Sequence, residues 1–199
     1  MISLDNIKTI FNNNNGYATT DNLRQNGIAY SLVQNYIKQG KIIRIRRGSY
    51  QWHETDETNE AATIAGLFPE GILCMDTALF FYGYSDRTPS EWHIAVNKDT
   101  SKIRFEIPYP FIKPYYFEPD TLSLGISKES INSIEINIYD RDRTICDCLR
   151  SINKMDKETF NKAVQAYISD PRKNINNLTT YAKRLRVYKK VQDLIGVWL

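Results

Sequence analysis

The sequence predicts an α+β protein in two parts: a small, mainly helical unit over residues 1–53 and a larger α+β domain over 54–199 with a mainly antiparallel sheet and C-terminal helices. Three observations predict it. Short amphipathic stretches closed by Gly or Asn fill the first forty residues, a period-two alternation takes over at 41–46, and charge is divided unevenly along the chain. Residues 1–52 hold seven Lys/Arg against two carboxylates, 53–156 hold ten against eighteen, and 157–199 hold nine against three. A polyanion is drawn to the two ends and repelled by the middle.

The elements follow in order. A helix capped by Ser3 carries Leu4, Ile7, Ile10 and Phe11 on one side, and the Asn12–Gly16 run ends it, since Asn and Gly accept left-handed backbone. Tyr17 to Thr19 is extended. Thr20 caps a short helix through Leu23 to Asn26, Gly27 turns the chain, and Ile28 plugs the space between helices. Ser31 caps a third helix that ends at Gly40, with Leu32, Val33, Tyr36 and Ile37 on its core side and Ser31, Gln34, Asn35 and Lys38 opposite. In 41–46, Ile43 and Ile45 form the buried side of a strand and Arg44 and Arg46 the other; Arg47-Gly48 turns it into a returning strand at Tyr50–Trp52. Two short helices joined by a Gly turn, followed by a basic hairpin, make a winged helix-turn-helix.

That arrangement predicts double-stranded DNA as partner. Lys41, Arg44, Arg46 and Arg47 neutralise phosphates. Gln34 and Asn35 have the paired donor and acceptor that fit adenine in the major groove, beside Tyr30, Ser31 and Lys38. Free N–H groups near Thr19 and Thr20 hold a further phosphate.

The string Gly16-Tyr17-Ala18-Thr19-Thr20-Asp21-Asn22-Leu23, then Gly27-Ile28, then Gly40-Lys41-Ile42-Ile43-Arg44-Ile45-Arg46-Arg47-Gly48-Ser49-Tyr50 resembles the AbiEi family of abortive-infection antitoxins. Asp76-Thr77-Ala78-Leu79 with Tyr82-Gly83, Trp92 to Val96, and Arg143-Thr144 through Asp147 to Arg150 are similar to the family's later motifs; Asp76-Thr77 departs from it where a Ser is expected. The resemblance implies an N-terminal winged helix that represses its own operon at inverted repeats, with cooperative assembly on DNA supported by the C-terminal domain. It also implies a C-terminal domain that counters a nucleotidyltransferase-type toxin, by the family's usual description without a stable complex.

In the larger domain, Thr55 or Thr58 caps a helix over 61–67, Ile72–Met75 is a buried strand, and Asp76 caps the helix over 78–81. Strands are expected at Trp92–Val96, Ile103–Ile107, Phe111–Phe117 and Ile134–Tyr139. Helices follow over Asp140–Arg150, with an Arg143–Asp147 pair at i,i+4, and from the cap Asp156 to before Pro171. A last helix starts at Asn177 or Thr179, and its Lys183, Arg184, Arg186, Lys189 and Lys190 form a basic surface, which is an ordinary solvated face, a DNA contact or a dock for the acidic middle segment.

Cys74, Cys146 and Cys148 cannot all pair, and neither they nor His53 and His93, with no evident carboxylate partners, have metal-site spacing. No cofactor or metal is expected, and no phosphate loop, H-E-x-x-H or G-x-S-x-G is present, so the chain reads as a non-enzyme. The alternative is a metal-dependent nuclease targeted by the winged helix, with Asp99, Lys102 and Glu106 near strands but not in an acidic-x-Lys pair. No run of ~20 apolar residues and no leader-like start at Met1–Asp5 occur, so a cytoplasmic location is expected.

Overall fold

A computed structural model describes residues 4–53 and 59–196, in an α+β fold with two compact units. The first comprises Met1–Pro69 with Ile107–Pro110 and Ser130–Ile136, and the second the remainder. The expected caps Ser3, Thr55 and Thr58 lie outside the described residues.

In the first unit, α1 (Leu4–Asn12) buries Ile7 and Phe11, with Leu4 and Ile10 packed beside them. Asn15 and Gly16 both take positive φ and lead into β1 (Tyr17–Thr19). The next helix, α2 (Thr20–Gln25), is capped by Thr19 and not Thr20. The Thr19 hydroxyl accepts from the Asn22 N–H at 3.1 Å, and the Asn22 side-chain oxygen accepts from the Thr19 N–H at 3.0 Å. This is the reciprocal capping box, with Asn in the place usually held by Glu or Gln. Ser31 is not a cap either. The third helix, α3 (Tyr30–Lys38), is entered from Ala29 with no side-chain cap.

Strands β2 (Ile42–Arg46) and β3 (Ser49–Trp52) join β1 in an antiparallel sheet of order β1-β3-β2. The expected faces of β2 are exchanged at its start. Ile42, opposite Trp52, is buried, whereas Ile43, opposite Gln51, is exposed. Strand parity leaves no middle course: fixing Ile42 inward sends Ile43 outward. An irregularity between Arg44 and Arg46 then shifts the register before the turn. Ile42, Tyr50 and Trp52 pack with Phe11, Leu23, Ile28 and Val33 into the helical side of the sheet. Helix α4 (Glu60–Leu67), capped by Asn59, engages the other side, where the Tyr17 hydroxyl meets Thr63 Oγ1 at 2.5 Å.

The second unit is built on β4 (Ile72–Leu73), β5 (Trp92–Asn97), β6 (Ile112–Phe117) and the parts of β7 (Ile126–Ile131) and β8 (Ile134–Tyr139) outside Ser130–Ile136, in a sheet of order β6-β5-β4-β8-β7. This sheet is mixed, not mainly antiparallel: β4–β5 is antiparallel, but β5–β6 and β4–β8 are parallel. Parallel neighbours need a crossover. Between β5 and β6 that crossover contains a 3-10 turn at Lys102–Phe105, where a strand over 103–107 was expected. Strand β4 stops short of Met75, whose φ of 47° starts α5 (Met75–Phe81) from Cys74, so Asp76 lies inside the first turn and is not the cap.

Five helices complete the unit: α6 (Pro119–Leu122), α7 (Arg141–Arg150), α8 (Lys157–Ser169), α9 (Ile175–Arg184) and α10 (Tyr188–Leu194). Asp140 and Asp156 cap α7 and α8. The expected single last helix is two. Asn174 accepts the Asn176 and Asn177 N–H groups to cap α9, and the chain breaks at Leu185–Val187.

At the centre lies Arg143, wholly buried, its Nε 3.0 Å from Asp147 Oδ2 and its Nη1 donating to the carbonyls of Thr121 and Leu124 at 2.6 and 2.7 Å. Its guanidinium carbon lies 4.1 Å from the Tyr139 ring centroid. Gly125 must be glycine here: it has φ +76°, and a Cβ would fall 2.6 Å from Arg143 Cβ. Burial pushes the Asp147 carboxyl up, and the adjacent guanidinium opposes that rise. Cys74, Cys146 and Cys148 are free and buried, and burial raises all three thiols well above their usual range. No described helix is long and apolar enough to cross a membrane.

Candidate nucleic-acid interface

Helix α3 owes its exposed stripe to its core stripe. With Val33 locked in the interior and Leu32, Tyr36 and Ile37 half-buried, positions 31, 35 and 38 are left on the opposite side. Ser31, Asn35 and Lys38 are all exposed there, and Tyr30 at the head of the helix is 57% exposed. Gln34 differs from the expectation of a surface reader. It is half-buried, and its Nε2 is enclosed with no hydrogen-bond partner among the described residues.

The hairpin arginines divide. Arg44 and Arg47 are exposed. Arg46, expected to face outward with Arg44, turns back into its own unit: Nε donates to Ser49 Oγ at 3.1 Å, Nη2 to the Leu67 carbonyl at 3.3 Å, and the guanidinium lies 5.2 Å from the Phe68 ring centroid. The register shift between Arg44 and Arg46 breaks the alternation that would have kept them together. Arg46 thereby satisfies a carbonyl at the end of α4, which a helix leaves open. Lys41 is half-buried, its Nζ 5.9 Å from the Tyr36 ring centroid.

The expected phosphate seat at the start of α2 is already occupied by the protein. The Thr19 N–H donates to Asn22, the Asn22 N–H to Thr19, and the Thr20 N–H to the Gly48 carbonyl at 2.9 Å. Gly48, with φ +77°, is the turn of the hairpin, so the β2–β3 turn is tied to the helix start by a backbone bond. Of the expected contact side chains, those that remain exposed are Thr20 at the start of α2, Tyr30, Ser31, Asn35 and Lys38 on α3, and Arg44 and Arg47 on the hairpin.

In the second unit, Asp99, Lys102 and Glu106 are exposed and lie on a turn, the 3-10 segment and its end, not along a strand. No group of three or more His, Cys, Asp or Glu able to hold a metal occurs among the described residues. The assumption that His93 lacks carboxylate neighbours is corrected. Its Nδ1 lies 4.0 Å from Asp76 and its Nε2 3.9 Å from Glu91. Glu91, two residues before His93 on the approach to β5, was a signal available in the sequence; Asp76, seventeen residues away, was not.

The Asp76 N–H donates to His93 Nδ1 at 3.3 Å, so the neutral ring carries its proton on Nε2, toward Glu91. Burial, helped by the Lys113 ammonium and partly offset by Glu91, lowers the His93 pKa to about 4. The unfolded imidazole therefore binds a proton more readily than the folded one. Stability contributed by the neutral ring is full above pH ~6.5 and falls as pH drops toward about 4. Thermal melts between these limits are expected to show an acid-side loss of about 2–3 kcal/mol that His93→Gln removes. Equal pH dependence in both proteins would reject this assignment.

No family model matches the chain, and no curated protein matches it. Among solved structures it is similar to the crystal structure of the RV2827C protein from Mycobacterium tuberculosis, at 9% identity and a TM-score of 0.49, with 98% of this chain and 82% of that chain covered.

Proposed function

We propose that the first unit is a winged helix-turn-helix that binds double-stranded DNA, and that the chain is an autorepressing antitoxin of the AbiEi type. One observation carries the DNA reading: Ser31, Asn35 and Lys38 form an exposed stripe on α3, followed directly by a hairpin that exposes Arg44 and Arg47. The α3 stripe suits base edges and the hairpin arginines suit the sugar-phosphate backbone. In this reading Arg46 serves the scaffold, and neither it nor the half-buried Gln34 is among the contacting side chains.

The antitoxin half rests on the motif resemblance of the sequence. In it the winged helix recognises inverted repeats in the promoter of its own operon, and residues 54–199 counter a nucleotidyltransferase-type toxin and support cooperative assembly on DNA.

Binding of the full chain to its own promoter DNA, followed by fluorescence anisotropy, tests the first half. Arg44→Ala with Arg47→Ala is expected to weaken binding to specific and scrambled duplexes alike, and to reduce the slope of log affinity against log salt by about 2. Asn35→Ala is expected to remove ~1–3 kcal/mol of discrimination at one base position and leave scrambled duplex binding nearly unchanged. Retention of full affinity and preference by both variants overturns the DNA assignment. For the second half, the Arg44→Ala/Arg47→Ala chain is expected to rescue growth from a co-expressed nucleotidyltransferase-type toxin while no longer repressing. Absence of rescue by the wild-type chain overturns the antitoxin assignment.

A further inference from the structure

We propose that the elbow between α9 and α10 is a second nucleic-acid contact, one that grips the phosphodiester backbone without reading sequence. Lys183, Arg184, Arg186 and Lys189 are exposed within seven residues of chain. Arg184 has a carboxylate neighbour, Asp120 at 4.0 Å, in a pair exposed on both sides and so readily exchanged for another anion. Lys190 belongs to the scaffold, donating to the Leu149 carbonyl at 2.7 Å. Tyr188 lies among the cations, 37% exposed, with Lys183 Nζ 5.3 Å from its ring centroid.

The backbone at the elbow supplies the second, independent observation. Arg186 has φ 60°. Its N–H donates to the Lys183 carbonyl at 3.2 Å, and the Val187 N–H donates to the Ala182 carbonyl at 2.8 Å. These are the paired bonds of a helix end whose left-handed residue is ordinarily glycine. A side chain there is disfavoured by the contact between its Cβ and the carbonyl oxygen. Glycine would close α9 as well, without that cost and without the charge. An unfavourable residue held at an element end marks a position kept for something other than stability, and what Arg186 adds is a guanidinium at an exposed apex.

The chemistry favours nucleic acid over other polyanions. Cations strung along the chain with an aromatic ring between them suit a phosphate backbone and its bases. A membrane surface calls for a continuous apolar face beside the charge, and α10 offers an exposed Leu194 and the half-exposed Tyr188. This contact is independent of the first unit's reading.

The test uses the full chain and a labelled oligonucleotide of scrambled sequence, as duplex and as single strand, titrated between about 50 and 200 mM salt. Lys183→Ala with Arg186→Gly and Lys189→Ala is expected to lower the salt slope by about 2–3 and to weaken binding at least tenfold at the low-salt end. Arg186→Gly alone is expected to weaken binding severalfold while the melting temperature holds or rises by up to about 3 °C, which separates a binding role from a structural one. Wild-type affinity and slope in the triple variant overturn the proposal. So does binding of the wild-type chain to phosphatidylserine vesicles with none to either oligonucleotide. Loss of slope on removing the elbow charges but not on removing Arg44 and Arg47 sustains this contact and rejects the first-unit assignment; the reverse pattern rejects this one.

Discussion

Asp147→Ala is expected to cost about 3–5 kcal/mol in the second unit. The reason is the company Asp147 keeps. Arg143 is fully buried and Asp147 is 2% exposed, so deleting the carboxylate leaves a guanidinium charge shut off from solvent and without the carboxylate bonded to it. The carbonyls of Thr121 and Leu124 accept from Nη1 but carry no charge to balance it. A loss of this size is a large fraction of the ~5–15 kcal/mol that holds an ordinary domain together. The pair is also incompletely satisfied: Arg143 Nη2 and Asp147 Oδ1 are buried with no hydrogen-bond partner among the described residues. Removing both charges together, as Arg143→Met with Asp147→Leu, is therefore expected to recover most of the stability lost by the single change. Urea melts of the wild type, the single and the double variant check this. A double variant as unstable as the single one would show that the carbonyl bonds of Arg143, not its charge, hold the 121–125 segment.

Gly66→Ala is expected to cost about 1–3 kcal/mol in the first unit, through overpacking. An added Cβ would fall 2.6–2.8 Å from three atoms of the Tyr17 side chain. Tyr17 cannot step aside. Its backbone pairs with Gln51 in the sheet, and its hydroxyl is bonded to Thr63 on the same helix as Gly66. Retreat of α4 would in turn pull the Leu67 carbonyl from Arg46. Thermal melts check the cost, and the Gly66→Ala/Tyr17→Ala pair supplies the control. With the ring gone the added methyl should cost little, so the two changes should be strongly non-additive. Simple additivity would reject the steric account.

What the sequence disclosed, and what it hid, divides by the range of the interactions. The stripe Leu4, Ile7, Ile10 and Phe11, the stop at Asn15-Gly16 and the Asp156 cap are decided within a few residues, and they stand in the structure where periodicity and cap chemistry put them. The cap of α2 was displaced by one residue because the Asn22 side chain reaches back to Thr19, a role more familiar for Glu or Gln. The faces of β2 were set by pairing with β3, which no pattern within 41–46 contains: Ile42 and Ile43 are the same residue type, and the partner Trp52 chose between them. The outward pair Arg44 and Arg47 was legible, whereas the inward turn of Arg46 depends on the Leu67 carbonyl, twenty-one residues away. Strand β7 gave no apolar signal because its half-buried positions are Ser127, Glu129 and Ile131. The α9–α10 break was hidden because arginine, not glycine, occupies the left-handed position.

The three cysteines have a practical use. All of them lie in the second unit, and the first has none. Alkylating reagents attack the thiolate, which burial suppresses at each of these positions. Incorporation of iodoacetamide should therefore clock transient opening of the second unit alone, with no label, tag or substitution introduced. Followed while DNA or a candidate toxin is added, the rate separates ligands that tighten the second unit from those that leave it untouched.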